Sequence, residues 1–396
     1  MAIVKLAEIC EKIGSGATPR GGKEAYCDDG VSLVRSQNVL DFFFSKDGLA
    51  FINDEQAQKL SNVEVHSGDV LLNITGDSVA RACIMDDDYL PARVNQHVAI
   101  IRGDAHKILN HYILYYLQWQ KDYLLQLASA GATRNALTKT MIEQLELELP
   151  KLDEQKRIVA VLDSLQSKIQ LNQKINDHLE QQAQTYFQEL FVDDADPQWA
   201  TGTISNLGQV VGGSTPSKAK PEYYTKSGIA WITPKDLSVN KSKFITHGET
   251  DITELGLKNS SASIMPEGTV LFSSRAPIGY IAIAAGEVTT NQGFKSVIPK
   301  AEVGTAFMYF FLKHNLPVIE GMASGSTFKE ISGSTMKNVP AVIPDTKTLS
   351  RFNDFCSPIF AQQQILEKQN QDLALLRDAL LPKLMSGEID VSAIQL

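Results

Sequence analysis

The chain has 396 residues, a formal net charge of −9 and 43% apolar residues, an ordinary globular composition with about two to three domains' worth of chain. Its cysteines (Cys10, Cys27, Cys83 and Cys356) form no C-x-x-C pair, which argues against a disulfide scaffold or a cysteine-rich zinc site and fits a reducing cytoplasm. No apolar stretch reaches the roughly 18 residues of a membrane span, Met1 to Glu11 lacks a signal-peptide layout, and the acidic balance argues against a chain that is basic throughout.

Familiar catalytic signatures are missing from the sequence. It has no phosphate-binding G-x-x-x-x-G-K-[ST] loop, no G-x-G-x-x-G, no H-E-x-x-H and no G-x-S-x-G. His106 and His111 are the closest histidine pair, and a spacing of five does not share a helix face. No two prolines are adjacent, so the Asn/Asp-Pro-Pro-aromatic loop of amino-methyltransferases is absent. Pro344-Asp345-Thr346-Lys347 has the residue types of a nuclease carboxylate–lysine motif without its spacing, and reads as a loop leading into a helix.

In chain order the sequence says itself twice. Gly14-Ser15-Gly16-Ala17-Thr18-Pro19 returns as Gly212-Gly213-Ser214-Thr215-Pro216, and Gly30–Val34 as Gly228–Ile232. Ser67–Leu72 returns as Glu267–Phe272, Asn95-Gln96 as Asn291-Gln292, and Ala128–Thr133 as Met322–Thr327. Pro150 and Arg157 match Pro344 and Arg351, 194 residues on. Short β-branched runs at Val31–Val34, Val70–Ile74, Val98–Ile101, Thr269–Phe272 and Ile278–Ala284 read as strands. A helical stretch follows them at Tyr112–Leu117 and again at Met308–Leu312. The expected fold is α+β: mixed α/β domains at 1–150 and 197–345, each followed by a long helix, at 151–196 and 346–396.

The long helices carry heptad seams. The first runs through Ile158, Leu162, Leu165 and Ile169, then Leu179, Ala183, Tyr186 and Leu190, with Asn172 and Asn176 between. The second runs through Phe352, Phe355 or Cys356, Ile359, Gln363, Leu366, Asn370, Leu373, Leu376 or Arg377, and Leu380. Pro358 should delay or kink it. Each seam is apolar at its ends and polar at its centre, which predicts antiparallel pairing within one chain. The bland reading is that each helix packs only on its own domain, but roughly 35 residues span ~52 Å, longer than one small domain needs.

Together these features resemble the specificity subunit of type I restriction-modification systems. The resemblance rests on the duplicated G-x-T-P turns, Trp231-Ile232, the Asn-Gln pairs, the alanine-glycine turns and the helix start with Pro150, Glu154, Gln155 and Ile158. The closing Leu381-Pro382-Lys383-Leu384-Met385-Ser386-Gly387-Glu388-Ile389 also looks like that family's tail. The second copy departs at its helix start, where Lys347-Thr348-Leu349-Ser350 replaces the Glu-Gln. The resemblance implies that each domain is a target recognition domain reading one half of a split double-stranded DNA sequence. It also implies that the helices dock two copies of a methylation subunit, which holds S-adenosylmethionine and methylates adenine, and that a separate restriction subunit, motor and nuclease, cuts unmodified DNA. The chain itself would catalyse nothing and hold no cofactor or metal.

The charge is uneven: −6 over 1–150, −4 over 151–198, +2 over 199–345 and −1 over the remainder. The first domain must therefore bind DNA through a local patch, or partner subunits must make most phosphate contacts; phosphate contacts position, whereas base contacts specify. Side chains matched to base edges, on loops that differ between the copies, are the candidate readers. In the first copy these are Arg20, Lys23, Gln37, Asn38, Arg81, Arg134 and Asn135; in the second, Lys218, Lys220, Lys235, Asp236, Arg275, Phe328 and Lys329. The shared Asn-Gln pairs read as structural, and His66, His97 and the Tyr112–Tyr116 stripe as core or surface. One turn of DNA, about 10 base pairs, is a natural half-site separation and predicts an unread gap of roughly six to eight base pairs. The competing reading is a pseudo-symmetric adaptor that pairs two proteins without reading DNA. Exposed seams predict poor solubility without partners.

Overall fold

The computed structural model describes residues 2–19, 21, 25–129, 135–325 and 329–394. The chain forms two compact units, Met1–Ile169 with Asp372–Leu396, and Gln170–Gln371. Each unit takes one globular part and half of each long helix.

In the first unit, strands Cys10–Ser15, Val98–Gly103, Val70–Asn73 and Ala82–Ile84 form an antiparallel sheet in that order. A second, mixed sheet runs Ala50–Ile52, Val31–Val34, Ala92–Val94, Glu64–Val65, with its middle pair parallel. Val70–Asn73 is buried at every position, and the pleat sends alternate side chains to opposite faces. Val70 and Leu72 enter one core beside the helix Asn110–Trp119, while Leu71 enters the other with Leu33 and Val94. A strand buried on both faces reads as a continuous apolar run, which is what the sequence shows. The Tyr112–Tyr116 stripe is core.

The second unit repeats the plan. Its five-stranded sheet runs Gly208–Gly212, Lys295–Pro299, Val270–Ser274, Ile278–Ala284, Phe244–Ile245. Val270 and Phe272 face one core and Leu271 the other. A parallel pair, Trp231–Ile232 with Thr289–Thr290, stands where the first unit pairs Val31–Val34 with Ala92–Val94.

Helix α1 spans Leu152–Gln188 and runs into a π-helical turn, Glu189–Asp193; helix α2 spans Thr346–Met385. The glutamine of the first helix start is wholly buried. Its Nε2 donates to the carbonyls of Lys107 and Pro150 at 3.0 and 2.9 Å, and its Oε1 accepts from the N–H of Leu109 at 3.0 Å. That side chain ties α1 to the loop that leads into the helix Asn110–Trp119. In the second copy Leu349 occupies the position and is buried among apolar groups. There Asn353 makes the tie, donating to the carbonyl of Val303 at 2.9 Å. The altered motif therefore starts a helix as well as the original does. Asp345 caps it, accepting from the N–H groups of Lys347 and Thr348 at 2.9 and 3.0 Å. This is a capping role and leaves no nuclease-like motif at Pro344–Lys347.

Of the two expected effects of Pro358, a delayed start of α2 does not occur. The helix is assigned through it, and Phe352, Cys356 and Ile359 around it are buried, which offsets the roughly 3 kcal/mol cost of an interior proline. Packing also settles the open seam positions. Cys356 is buried while Phe355 is 42% exposed, and Arg377 is inward while Leu376 is 48% exposed. In α1 the seam passes through buried Gln166 rather than half-buried Leu165, and through Phe187 rather than half-buried Tyr186.

The two helices run antiparallel in each unit. In the first, Gln166 accepts from Arg377 at 2.7 Å, and Ile158 and Leu162 share a core with Leu381 and Leu384. In the second, buried Asn172 donates to Asn370 at 2.9 Å, Gln363 donates to the carbonyl of Asn176 at 3.1 Å, and Ala183 and Phe187 pack with Phe352 and Ile359. Leu179, Tyr186 and Leu190 flank that cluster, and Leu366 is buried. Leu380 packs on the first unit's core, and Leu373 is half-buried. The polar centre of the seam is thus a hydrogen-bonded layer between apolar ends.

Candidate nucleic-acid interface

The recurring motifs form one turn system in each unit. Asn95 Oδ1 accepts from the N–H of His97 at 3.0 Å, and Asn291 Oδ1 accepts from the N–H of Gly293 at 2.8 Å. The glycine of each G-x-T-P turn lies against this turn. Gly16 donates its N–H to the carbonyl of Val98 at 2.9 Å, and Ser214 donates to that of Thr290 at 2.9 Å. A Cβ on Gly16 would sit 2.0 Å from the carbonyl oxygen of Val94, and one on Gly213 would sit 1.9 Å from that of Asn291. Only glycine allows that approach. The pairs repeat because they build the edge from which the variable loops project.

In the first unit these loops are linked by buried polar groups. Asn73, wholly buried, donates to the carbonyls of Ser36 and Val39 at 2.8 and 3.1 Å. Thr75 Oγ1 lies 2.7 Å from half-buried His97 Nδ1, and the N–H of Gly76 donates to the carbonyl of Asn135 at 3.1 Å. The loops around 37, 76–81, 97 and 135 therefore share one edge. Arg81 is partly exposed there. Asn135 is exposed. Arg20, Lys23 and Arg134 lie outside the described residues.

One first-unit reading is corrected. Asn38 is 0% exposed; its Nδ2 donates to the carbonyls of Ser45 and Asp47 at 2.9 and 3.2 Å, and its Oδ1 accepts from the N–H of Arg35 at 3.0 Å. Its amide is consumed in holding the loop and meets no base edge. Gln37 is exposed on the same loop, where its Nε2 donates to the carbonyls of Asp47 and Gly48 at 3.2 and 3.1 Å. The sequence reading missed Arg35, which reaches the carbonyl of Gly48 and lies 5.6 Å from the Tyr26 ring. A lone arginine after an apolar strand carries no distinguishing signal.

In the second unit the loops surround a cleft of about 750 Å³. It is lined by Lys218, Lys235, Asp236 and Arg275 together with Tyr224, Trp231 and Gln292. Four sequence-predicted residues thus meet in one place. Lys235 pairs with Glu249 at 2.6 Å, and Arg275 lies 3.6 Å from Glu330. Glu330 also lies 3.8 Å from Lys295, whose affinity for a proton is lowered by burial and by nearby Arg275. Asp236 is corrected from reader to cap. Its Oδ2 accepts from the N–H and hydroxyl of Thr233 at 2.7 and 2.6 Å, and its Oδ1 accepts from the N–H of Glu249 at 2.8 Å. Lys220 and Lys329 are exposed and outside the lining; Lys220 is 3.8 Å from Glu222. Phe328 lies outside the described residues. Trp231, Tyr224 and Gln292 were missed as site residues because an apolar strand and a shared turn look purely structural.

No group of His, Cys, Asp and Glu that could hold a metal ion is found among the described residues, and no helix is long and apolar enough to cross a membrane. Two mixed α/β units, each projecting amide-bearing and cationic loops from a repeated turn and each seated on half of a helix pair, define a tandem recognition-domain protein. The sequence profile of the type I restriction modification DNA specificity domain matches residues 1–181 and 197–374, and the chain belongs to that family. It is 40% identical over 194 residues to the MjaIX type I restriction enzyme specificity subunit of Methanocaldococcus jannaschii, over 47% of this chain and 45% of that one, so that match spans under half of the relative. It is 23% identical over 437 residues to the HindI specificity subunit of Haemophilus influenzae, over 91% of this chain and 94% of that one. The crystal structure of the S subunit from M. genitalium shares the fold, with a TM-score of 0.61 at 14% identity over 97% of this chain and 96% of that one. DNA target recognition is the role that this membership gives the chain.

Proposed function

We propose that each unit reads one half of a split double-stranded DNA sequence through its convergent loops. The helix pair docks two methylation subunits, which bind S-adenosylmethionine and modify adenine, and a separate restriction subunit joins the complex in the cytoplasm. This chain performs none of those chemical steps. The observation that carries the reading is the turn system. Both units build it from the same glycine and asparagine, yet the loops it projects differ: Arg81 and Asn135 in one, Lys218, Lys235 and Arg275 in the other. A common scaffold under different edge chemistry suits two different half-sites. The acidic first domain fits a reader held in a complex whose other subunits supply phosphate contacts.

The test is selection of random duplex DNA by this chain co-purified with its methylation subunit. A split motif with an unread gap of roughly six to eight base pairs is expected. Exchange of residues 199–345 for another homologue's domain should change one half only. A well-formed complex that recovers no motif would leave the protein-pairing adaptor as the better reading.

A further inference from the structure

Both units hold an acid of α1 with donors from the globular part, Asp163 with Tyr115 and His111 in the first and Glu180 with Tyr309 and Lys313 in the second, but they differ in where the buried cation sits. In the second unit the cation comes from the globular part. Lys243, at the edge of the five-stranded sheet, is 8% exposed. Its Nζ contacts the carboxylate of Glu180 on α1, donates to Gln363 Oε1 on α2 at 2.7 Å and lies 3.9 Å from the Phe360 ring centroid. Lys313 donates to the same Glu180 at 2.6 Å. The backbone N–H groups of Lys243 and Phe244 donate to Glu367 on α2 at 2.8 and 3.0 Å. In the first unit the cation comes from the helix. The guanidinium of Arg377 lies 3.9 Å from the ring centroid of buried Phe42, and it donates to Gln166, whose Nε2 reaches the Phe42 carbonyl at 3.4 Å.

The repeat register of 194 residues, set by Pro150/Pro344 and Arg157/Arg351, shows what each groove offers at matching positions. Burial agrees with it: Ile158/Phe352, Leu162/Cys356 and Ile169/Gln363 are buried in both members. Glu180 is matched by Ala374, Glu367 by Gln173, Phe360 by Gln166, and Arg377 by Ala183. The groove that takes Lys243 therefore has two acids and a ring where the other has alanine and two glutamines. The groove that takes Phe42 has a cation where the other has alanine.

We propose that these residues form an address, making each helix groove specific for its own globular domain, so that the two domains are not interchangeable along the helix pair. Lys243 placed in the first groove would be buried beside Arg377, with no acid at the positions matching Glu180 and Glu367 and with Asp163 already engaged by Tyr115 and His111. Phe42 placed in the second would leave Glu180 and Glu367 without Lys243. An unpaired buried charge is among the costliest defects a packed interface can hold. The assignment concerns assembly of the chain and does not depend on DNA reading.

The test uses the full-length chain with residues 199–345 grafted in place of 1–150, so that the second domain occupies both places. Melting is compared with native helices and with Gln166→Phe, Gln173→Glu, Ala374→Glu and Arg377→Ala together. The same four substitutions are made in the natural chain. They should raise the melting temperature of the grafted chain and lower that of the natural chain, by roughly 5 °C or more each. A change of the same sign in both overturns the address. Should the graft fold in neither form, a cycle in the natural chain decides. Lys243→Phe should lower the melting temperature less when Glu180→Ala, Glu367→Gln and Ala183→Arg are also present; an equal or larger loss overturns the proposal.

Discussion

Adjacent glycines at 212 and 213 should respond oppositely to alanine. A Cβ on Gly212 meets only Lys295 Cδ at 3.9 Å, an ordinary contact, whereas a Cβ on Gly213 would lie 1.9 Å from the Asn291 carbonyl oxygen and 2.5 Å from that of Thr290. The Thr290 hydroxyl, 2.4 Å away, could rotate aside, but these two carbonyl oxygens are backbone and cannot. Restoring a contact of about 3.4 Å requires the two turns to separate by about 1.5 Å, and the 2.9 Å bond from Ser214 to Thr290 breaks. Overpacking of this kind costs about 1–3 kcal/mol and the lost bond about 1 kcal/mol more. Gly213→Ala should therefore destabilise the second unit by about 2–4 kcal/mol, or roughly 5–15 °C in melting temperature. Gly212→Ala should be neutral or slightly stabilising, because it lowers the entropy of the unfolded chain. The first copy already has Ser15 at the position of Gly212. Scanning calorimetry on the two variants checks this. A Gly213→Ala chain melting within a degree of the natural one, or equal losses at both sites, would refute the packing argument.

Arg81→Ala should weaken DNA binding without changing the melting temperature. If the guanidinium meets a phosphate, the salt slope measured by fluorescence anisotropy falls by about one; if it meets a base, discrimination at one position of the half-site relaxes. Asp345→Ala removes the cap of α2 and should cost about 1 kcal/mol in urea denaturation near neutral pH. The N–H and hydroxyl of Thr348 hold the Asp345 carboxyl below its usual range. That contribution is complete above the unfolded value of about 3.9 and is lost as pH falls through the depressed folded value, so the gap between the two chains should narrow in acid. Gln155→Ala removes three buried hydrogen bonds and should destabilise the first unit by about 2–4 kcal/mol, while Gln155→Glu should rescue little because two of its partners are carbonyls. Asn172→Ala should destabilise the helix pair by about 1–2 kcal/mol, visible as a lower urea midpoint.

Much of the architecture was legible because its causes are local. Val31–Val34 and Val70–Asn73 are strands because short β-branched and leucine runs bounded by turn residues leave few alternatives. The long helices follow from sustained seven-residue spacing, and the duplication from motifs returning in order. The alternating apolar pattern also predicted that the helices would pair antiparallel around a polar centre.

Side-chain roles were less legible, because they depend on partners distant in sequence. Arginine, lysine and asparagine on a variable loop look alike until burial is known. Tertiary structure placed Asn38 inside its loop, turned Asp236 into a cap, and gathered Lys218, Lys235 and Arg275 around one cleft. It also chose Cys356 over Phe355 and Arg377 over Leu376, because a heptad pattern leaves adjacent positions open until the opposing surface is present. The sequence by itself determined the repeat, the strands, the helix pair and the family. Only the tertiary structure decided that Lys243 belongs to the helices as much as to its own sheet. Its partners Glu180 and Gln363 lie 63 residues before it and 120 after it, and only the folded chain brings three such groups within hydrogen-bonding reach.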